Sequence, residues 1–128
     1  MNIHIIYFDQ ETEQLAFDLR AALDKNRESI TIASGGEGNS LPCIPAALWV
    51  TGHFRPGEAL LFICSAAQAT RSIAGHVRED EENPAVLVLD AKENIVLPLL
   101  TSGIGETNRL VREIAEITGG KAVLTEPE

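Results

Sequence analysis

The stretch Leu60-Leu-Phe-Ile-Cys64, which runs directly into Ser65-Ala-Ala67, decides the fold. A short, continuously apolar run bounded by Gly57 is typical of a strand that is covered on both faces. The small residues that follow lead into a helical stretch around Arg71. A buried strand that passes into a helix predicts an α/β protein, in which ligands usually bind where strands deliver their carboxyl ends.

The N-terminal third contains the same order of strand and helix. Residues 2–8, Asn-Ile-His-Ile-Ile-Tyr-Phe, predict a first strand, and Asp9 is placed to cap a helix. This helix is predicted to end near Asn26, and its apolar face carries Leu15, Leu19 and Leu23. Ser29 to Ala33 predict a second strand. The opening therefore reads strand, helix, strand.

A glycine-rich segment, Ser34-Gly-Gly-Glu-Gly-Asn-Ser40, follows this second strand. Phosphate-binding loops of similar composition lead directly into a helix, whereas Pro42 and Pro45 follow here. We therefore interpret the segment as a flexible surface loop. Pro45 then opens a short helix that ends near Gly52 and places Trp49 in the core.

The C-terminal half predicts a change of strand direction. Ala85 to Leu89 and Ile95 to Leu100 are apolar runs separated only by the polar turn 90–94, so they form antiparallel neighbours. A helix follows, whose apolar face carries Leu110, Ile114 and Ile117. Gly119-Gly120 ends that helix, and residues 122–125 predict a last short strand.

Length and composition agree with one domain. The chain has 128 residues, of which 45% are hydrophobic, enough to bury a core of ordinary size. No internal repeat or long low-complexity linker divides it. The prediction for residues 1–128 is therefore a single α/β domain, with three α/β/α layers around a mixed, mainly parallel sheet.

Charge and targeting signals restrict the partners and the location. The chain has 10 Lys and Arg against 19 Asp and Glu, and its formal net charge of −9 opposes nonspecific nucleic-acid binding. The run from Arg78 to Glu82 is interpreted as a solvated loop. No apolar run approaches the roughly 20 residues that span a bilayer, and residues 1–4 show no signal-peptide pattern. We expect a cytoplasmic protein with reduced cysteines that binds neither nucleic acid nor membrane.

Histidines and cysteines give little evidence of catalysis. His4, His53 and His76 lie far apart and share no metal-ligand spacing with Cys43 or Cys64, so no metal site is predicted. The nucleophile elbow Gly-x-Ser-x-Gly is absent. Cys64 follows a strand and leaves open an unrelated small-molecule enzyme, although a buried, inert thiol is the favoured interpretation.

Two turns rich in small residues are better candidates for a site. They span Cys64 to Arg71 and Thr101 to Asn108, and each follows a predicted strand. The hypothesis is that both turns converge on one cleft. Arg71 in the first and Arg109 just beyond the second could pair with ligand carboxylates, with solvated side chains or surface salt bridges as the alternative.

The order of several segments resembles a known family. The matching segments are 60–63 (Leu-Leu-Phe-Ile), Arg71, 83–90 (Asn-Pro-Ala-Val-Leu-Val-Leu-Asp), 99–108 (Leu-Leu-Thr-Ser-Gly-Ile-Gly-Glu-Thr-Asn), Gly119-Gly120 and 122–125 (Ala-Val-Leu-Thr). From Leu60 to about Glu126 the chain resembles the N-terminal domain of the cobalamin biosynthesis protein CbiG, the cobalt-precorrin-5A hydrolase family. Residues 1–59 agree with that family mainly in their pattern of elements.

The two turns depart from the family pattern. The family's first turn is typically Gly-Ala-Thr-Gly, where this chain has residues 64–67, Cys-Ser-Ala-Ala. Its second turn is Ser-Gly-His-x-Gly-Gly-Ala-Asn. According to this resemblance, the chain keeps four residues of the family's second turn: Ser102, Gly103, Gly105 and Asn108. It has Ile104 at the position of the histidine. Isoleucine transfers no proton. If the family histidine is catalytic, this chain is therefore expected to be inactive or to use another group for proton transfer, and Glu106 is the nearest candidate.

The resemblance implies opening of the ring-A δ-lactone of cobalt-precorrin-5A, with loss of a two-carbon fragment as acetaldehyde. It implies binding of the corrinoid precursor by Arg71, Ser102, Gly103, Gly105, Asn108 and Arg109, with no catalytic residue assigned. The protein would need no cofactor of its own, because any cobalt is carried by the substrate. The resemblance implies a separate CbiG C-terminal-type domain as a partner. Formation of a homo-oligomer is left open. The alternative is a noncatalytic tetrapyrrole-binding or assembly domain that keeps the fold.

Overall fold

A computed structural model describes residues 1–24, 29–79 and 82–124 of the chain, and at Ile104 it describes the backbone only. The elements are β1 (Asn2–Tyr7), α1 (Gln10–Leu23), β2 (Ile30–Ser34), α2 (Ala46–His53), β3 (Glu58–Ile63), α3 (Ala66–Ile73), β4 (Ala85–Asp90), β5 (Ile95–Leu100), α4 (Ile104–Thr118) and β6 (Lys121–Ala122). Three predictions extend outside the described residues: the helix end near Asn26, positions 80 and 81 of the acidic loop, and Thr125 in the last strand.

The six strands form one sheet in the order β2-β1-β3-β4-β5-β6. The first four run parallel, with Ile5 beside Leu61 and Leu61 beside Leu87. The strand β5 is antiparallel to β4, and β6 is parallel to β5. The predicted mixed, mainly parallel sheet is therefore confirmed, including the reversal at the polar turn 90–94.

The helices cover both faces of this sheet. Successive side chains of a strand point to opposite faces, so alternate residues enter two separate cores. On one face, Leu61 and Leu87 pack against α1 and α4. On the other face, Phe62 and Val88 pack in a cluster with Trp49 of α2 and residues of α3. This arrangement is the predicted three-layer α/β/α domain.

The glycine-rich loop after β2 is more tightly held than the prediction of a flexible segment implied. A Cβ atom on Gly36 would lie 1.8 Å from the carbonyl oxygen of Phe8, so only glycine fits there. The amide of Asn39 donates to Ser34 Oγ over 2.8 Å, and the Ser40 hydroxyl donates to Glu13 Oε1 over 2.6 Å. These contacts fix the loop against the ends of β1 and β2. The helix α2 begins only at Ala46, as expected for a loop that is not a phosphate cradle.

Candidate functional site

The two candidate turns lie at opposite edges of the sheet. We call the edge where β1 to β4 end the carboxyl edge, and the edge where they begin the amino edge. Antiparallel pairing places Leu100 beside Val86 and Ile95 beside Asp90, so β5 ends at the amino edge. The prediction that the turns converge on one cleft is wrong, because the reversal at 90–94 sends the second turn to the opposite edge from the first.

The two candidate arginines are also separated. Arg71 lies on α3 and Arg109 on α4, and these helices cover opposite faces of the sheet. Both side chains are exposed. Arg71 and Arg109 therefore do not form one positive pocket, and each must be considered with the residues of its own layer.

The amino-edge turn, residues 101–109, begins α4 without a side-chain cap. Gly103 occupies the N-cap position with φ +116°, a backbone conformation that favours glycine. The backbone N–H of Ser102 donates to Thr107 Oγ1 over 3.2 Å, which joins the turn to the helix. Gly103 has no side chain with which to cap the start of α4. The first-turn N–H groups of this helix therefore point outward without an intrahelical acceptor.

Burial divides the predicted binding residues of this turn into two sets. Asn108 is 1% exposed and Thr107 is fully buried, so both side chains act inside the fold. Ser102 is half-buried, and the exposed positions are Gly103, Gly105 and Arg109. A ligand at the surface can therefore meet the backbone of the turn, the Ser102 hydroxyl and the Arg109 guanidinium.

A cleft of about 590 Å³ lies at the other edge of the sheet, where β1, β3 and β4 end. We call it the carboxyl-edge cleft. Its lining combines the ends of these strands, the starts of α1 and α3, and the turn after β4: Phe8, Asp9, Glu11, Thr12, Ile63, Cys64, Ser65, Gln68, Asp90, Ala91, Lys92 and Glu93. This is the usual place for ligands in open α/β sheets.

The charges and caps of the carboxyl-edge cleft do not suit an anion. Asp9 Oδ1 accepts from Thr12 N over 3.0 Å, and Ser65 Oγ accepts from Gln68 N over 3.2 Å, so both helix starts are capped by their own side chains. The lining contains one cation, Lys92, against four carboxylates: Asp9, Glu11, Asp90 and Glu93. A ligand with several carboxylates would meet repulsion here.

The Cys64 thiol in this cleft is poorly suited to be a nucleophile. Burial raises its pKa to about 12, and the nearby Asp90 carboxylate acts in the same direction. The thiol lies 3.4 Å from the carbonyl oxygen of Ser65, to which it donates. Because the thiolate is the reactive form, this environment favours the inert thiol over an enzyme built on Cys64.

The structure brings the histidines together, which the sequence spacing did not indicate. The rings of His4 and His53 stack with centroids 3.9 Å apart. His76 Nε2 lies 3.1 Å from Thr51 Oγ1, and its ring is 5.5 Å from that of Phe54. Within residues 1–24, 29–79 and 82–124, no group of His, Cys, Asp and Glu is arranged to hold a metal ion. The cluster arises because α2 and α3 both run back to the amino edge after β2 and β3.

Known proteins identify the family of this chain. A family model described as "Cobalamin synthesis G N-terminal" matches residues 48–127. The chain belongs to this family. The match confirms the resemblance inferred from Leu60 onward and extends it to residue 48, so it includes both candidate turns.

Two curated relatives are similar in sequence to this chain. The chain is 29% identical over 102 residues to a cobalt-precorrin-5A hydrolase of Priestia megaterium, covering 80% of this chain and 25% of the relative. It is 36% identical over 72 residues to a cobalt-precorrin-5A hydrolase of Salmonella typhimurium, covering 56% of this chain and 20% of the relative. The chain thus spans a quarter or less of the curated relatives it matches.

The fold of this chain is also seen in a solved structure. A cobalamin biosynthesis protein G homolog from Sulfolobus solfataricus superposes with a TM-score of 0.73 at 20% identity. The superposition covers 97% of this chain and 36% of the homolog. This similarity supports the three-layer α/β architecture over nearly the whole chain.

The position of the family histidine depends on where the motif is aligned. The family motif has one residue more between its serine and its asparagine than separates Ser102 from Asn108. Alignment from the serine side assigns Ile104 to the histidine, whereas alignment back from Asn108 assigns Gly103. Neither residue carries an imidazole, so the resemblance implies the same departure from the family pattern in both alignments.

The described residues contain no helix long and apolar enough to cross a membrane.

Proposed function

We propose that this chain acts in cobalamin biosynthesis by binding a cobalt-corrinoid precursor of the cobalt-precorrin-5A type at the amino-edge turn. Its family is one of cobalamin synthesis, and two relatives are named cobalt-precorrin-5A hydrolases. The observation that carries the location is the uncapped start of α4 beside the exposed Arg109. We further propose a cytoplasmic location on the grounds of the sequence.

Carboxylates around the macrocycle are the groups that this site would bind. Backbone N–H groups at a helix start and the positive end of the helix dipole attract anions. Arg109 adds a charged donor in the same exposed turn, and Gly103 and Gly105 let a bulky ligand approach the backbone. The buried Thr107 and Asn108 would position the turn without touching the ligand.

Opening of the lactone requires more than these donors. Water must attack the lactone carbonyl, the developing oxyanion needs hydrogen-bond donors, and a base must take the proton from water. The Ser102 hydroxyl and the backbone of the turn can supply donors. Glu106 is the one acid or base within residues 101–108, and its carboxylate is exposed. We therefore propose substrate binding as the primary role, with hydrolysis requiring a group from elsewhere, such as a separate C-terminal-type domain.

Binding is tested by titrating the purified chain with cobalt-precorrin-5A and following the absorbance of the corrinoid. Arg109→Gln should weaken binding about tenfold, because a charge-assisted hydrogen bond contributes about 1.5 kcal/mol or more. Arg71→Gln is the matched control, since Arg71 is an exposed helical arginine in the other layer. Equal weakening of corrinoid binding by both variants would contradict a binding site at the amino-edge turn. Failure of the unmodified chain to bind, alone and with a C-terminal-type domain, would overturn the function.

The missing imidazole favours a noncatalytic binding or assembly domain as the second candidate. Histidine can be introduced as Ile104→His and, separately, as Gly103→His. Release of acetaldehyde by a histidine variant alone would support a domain that has lost its catalytic group. Comparable turnover by the unmodified chain would exclude that candidate and show that another residue performs the proton transfer.

A further inference from the structure

The stacked rings of His4 and His53, which we call the histidine stack, join the end of α2 to the sheet. The ring planes are inclined by only 22°, and His53 is the last residue of α2. His4 lies on β1 and is 6% exposed. The stack is therefore a contact between a helix end and the middle layer of the fold.

Charged groups surround the histidine stack on several elements. Glu58, at the start of β3, places Oε2 3.3 Å from His4 Nε2 and Oε1 3.6 Å from Arg55 Nη2. Thr31 of β2 places Oγ1 2.7 Å from His4 Nδ1. With both imidazoles neutral, the cluster contains one carboxylate and one guanidinium, and their charges balance. A proton on His4 would face the Glu58 carboxylate.

A proton on His53 is compensated only in part by Glu58. Burial lowers the pKa of His53, and His4 and Arg55 lower it further, whereas Glu58 acts in the opposite direction. His53 Nδ1 is buried and has no hydrogen-bond partner among the described residues. An imidazolium carries N–H on both ring nitrogens, so a charged His53 would leave a buried donor unsatisfied and would lie close to Arg55.

We infer that the histidine stack is a pH-sensitive contact, in which protonation of His53 separates the two rings and releases the end of α2 from the sheet. The released part would include Phe54 and Arg55. The first part of α2 would stay in place, because Trp49 is 2% exposed and packs edge-on against Phe62 with centroids 5.2 Å apart.

The direction of the pH effect follows from the position of the charge. Because the pKa of His53 is lower in the folded protein than its usual 6.5, the closed contact is favoured above that value. The contact is lost as the pH falls through the lowered pKa. His76 lies against Thr51 and Phe54, so it is the neighbouring histidine that a control variant must address.

Amide hydrogen exchange of the full chain tests this inference. Between about pH 7.5 and about pH 5, protection factors at the amides of His53, Phe54 and Arg55 should fall about tenfold while those of β3 and β4 stay unchanged. His53→Phe keeps a ring that can stack but takes up no proton, so it should abolish the fall. His76→Phe should retain it. The inference is overturned if His53→Phe shows the same fall as the unmodified chain, or if all elements lose protection together.

A second measurement requires no variant and is decisive if His53→Phe does not fold. Trp49 is the one tryptophan of the chain, and its ring centroid lies 5.5 Å from that of His53. Charged imidazole quenches indole fluorescence, so the quenching of Trp49, the NMR titration of the His53 ring and the loss of amide protection at residues 53–55 should share one midpoint. Loss of protection at a midpoint different from that of the His53 ring would contradict the inference.

Discussion

The helices α1 and α3, whose starts line the carboxyl-edge cleft, are capped by their own side chains, whereas α4, which starts at the amino edge, is not. Asp9 Oδ1 accepts from the N–H of Thr12 in the first turn of α1, and Ser65 Oγ accepts from the N–H of Gln68 in the first turn of α3. At the start of α4, Gly103 offers no side chain. The two edges therefore differ in the binding capacity that remains for a ligand.

Charge strengthens this difference. Four carboxylates and one lysine line the carboxyl-edge cleft, whereas the amino-edge turn exposes Arg109 and Glu106 beside open N–H groups. Cavity size and strand direction alone favour the cleft as a ligand site. For a ligand with several carboxylates, the local electrostatics favour the amino-edge turn instead. The comparison teaches that a cleft in the expected place is not sufficient when its helix starts are already satisfied.

The largest effect is expected from Gly36→Ala beside the carboxyl-edge cleft. The added methyl would meet the backbone of Phe8, which cannot yield as a flexible side chain does, so we expect destabilisation of about 3 kcal/mol in urea unfolding. Gly52→Ala is the control, because no atom lies within 4 Å of its added Cβ and it should be neutral or slightly stabilising. At low denaturant, corrinoid binding per folded molecule should persist; its loss would place the ligand at the cleft.

Alkaline pH should weaken the carboxyl edge through Tyr7. Burial and the Glu13 carboxylate, which accepts from the Tyr7 hydroxyl over 2.6 Å, together raise the pKa of Tyr7 to about 12. The folded state therefore keeps this proton above the usual pKa of 10.0, so its contribution is complete below pH 10.0 and declines as the pH rises toward 12. Urea unfolding from pH 9 upward should show this loss, and Tyr7→Phe should remove that part of the slope. An identical slope in Tyr7→Phe would contradict the assignment.

Removal of the Asp9 cap should distinguish the helix starts at the two edges. Asp9→Ala should cost about 1 kcal/mol in unfolding free energy, because the N–H of Thr12 loses its acceptor. Ser102→Ala at the amino edge should change stability by less than about 0.5 kcal/mol, since its backbone N–H, not its side chain, makes the bond to Thr107. Equal costs at both positions would show that the Ser102 side chain also caps a helix.

The smallest effect is expected at Glu106, which lies in the first turn of α4. A carboxylate there competes with an anionic ligand for the positive end of the helix, so Glu106→Gln should tighten corrinoid binding about twofold to threefold. Glu116→Gln, an exposed change near the other end of the same helix, should leave affinity unchanged. Weaker binding by Glu106→Gln would indicate that this carboxylate contacts the ligand as an acceptor.

Local patterns predicted most of the fold. Continuous apolar runs marked the buried strands, as at Leu60–Ile63, where every side chain is at most 2% exposed. The short polar turn 90–94 required antiparallel neighbours, and Gly119, with φ +71°, ends α4 as predicted. The last strand is shorter than predicted among the described residues, with only Lys121 and Ala122 paired to β5.

The candidate site was predicted less well because a site depends on contacts between distant segments. The residues of the amino-edge turn were recognised from their types and from the family resemblance. Their separation from Arg71 followed only once strand direction and helix layer were both fixed. The stacking of His4 on His53 likewise had no signal in the spacing, because it depends on how far α2 runs back along β1.

The sequence by itself determined an acidic α/β domain of the cobalamin synthesis G N-terminal family, since apolar periodicity, turn residues and motif order are properties of neighbouring residues. Only the tertiary structure decided which candidate groups share a surface. The reversal after β4 moves the second turn to the amino edge, and the opposite layers of α3 and α4 separate Arg71 from Arg109. Proximity between such groups is set by the pairing of strands and the packing of helices, which the spacing of residues along the chain does not specify.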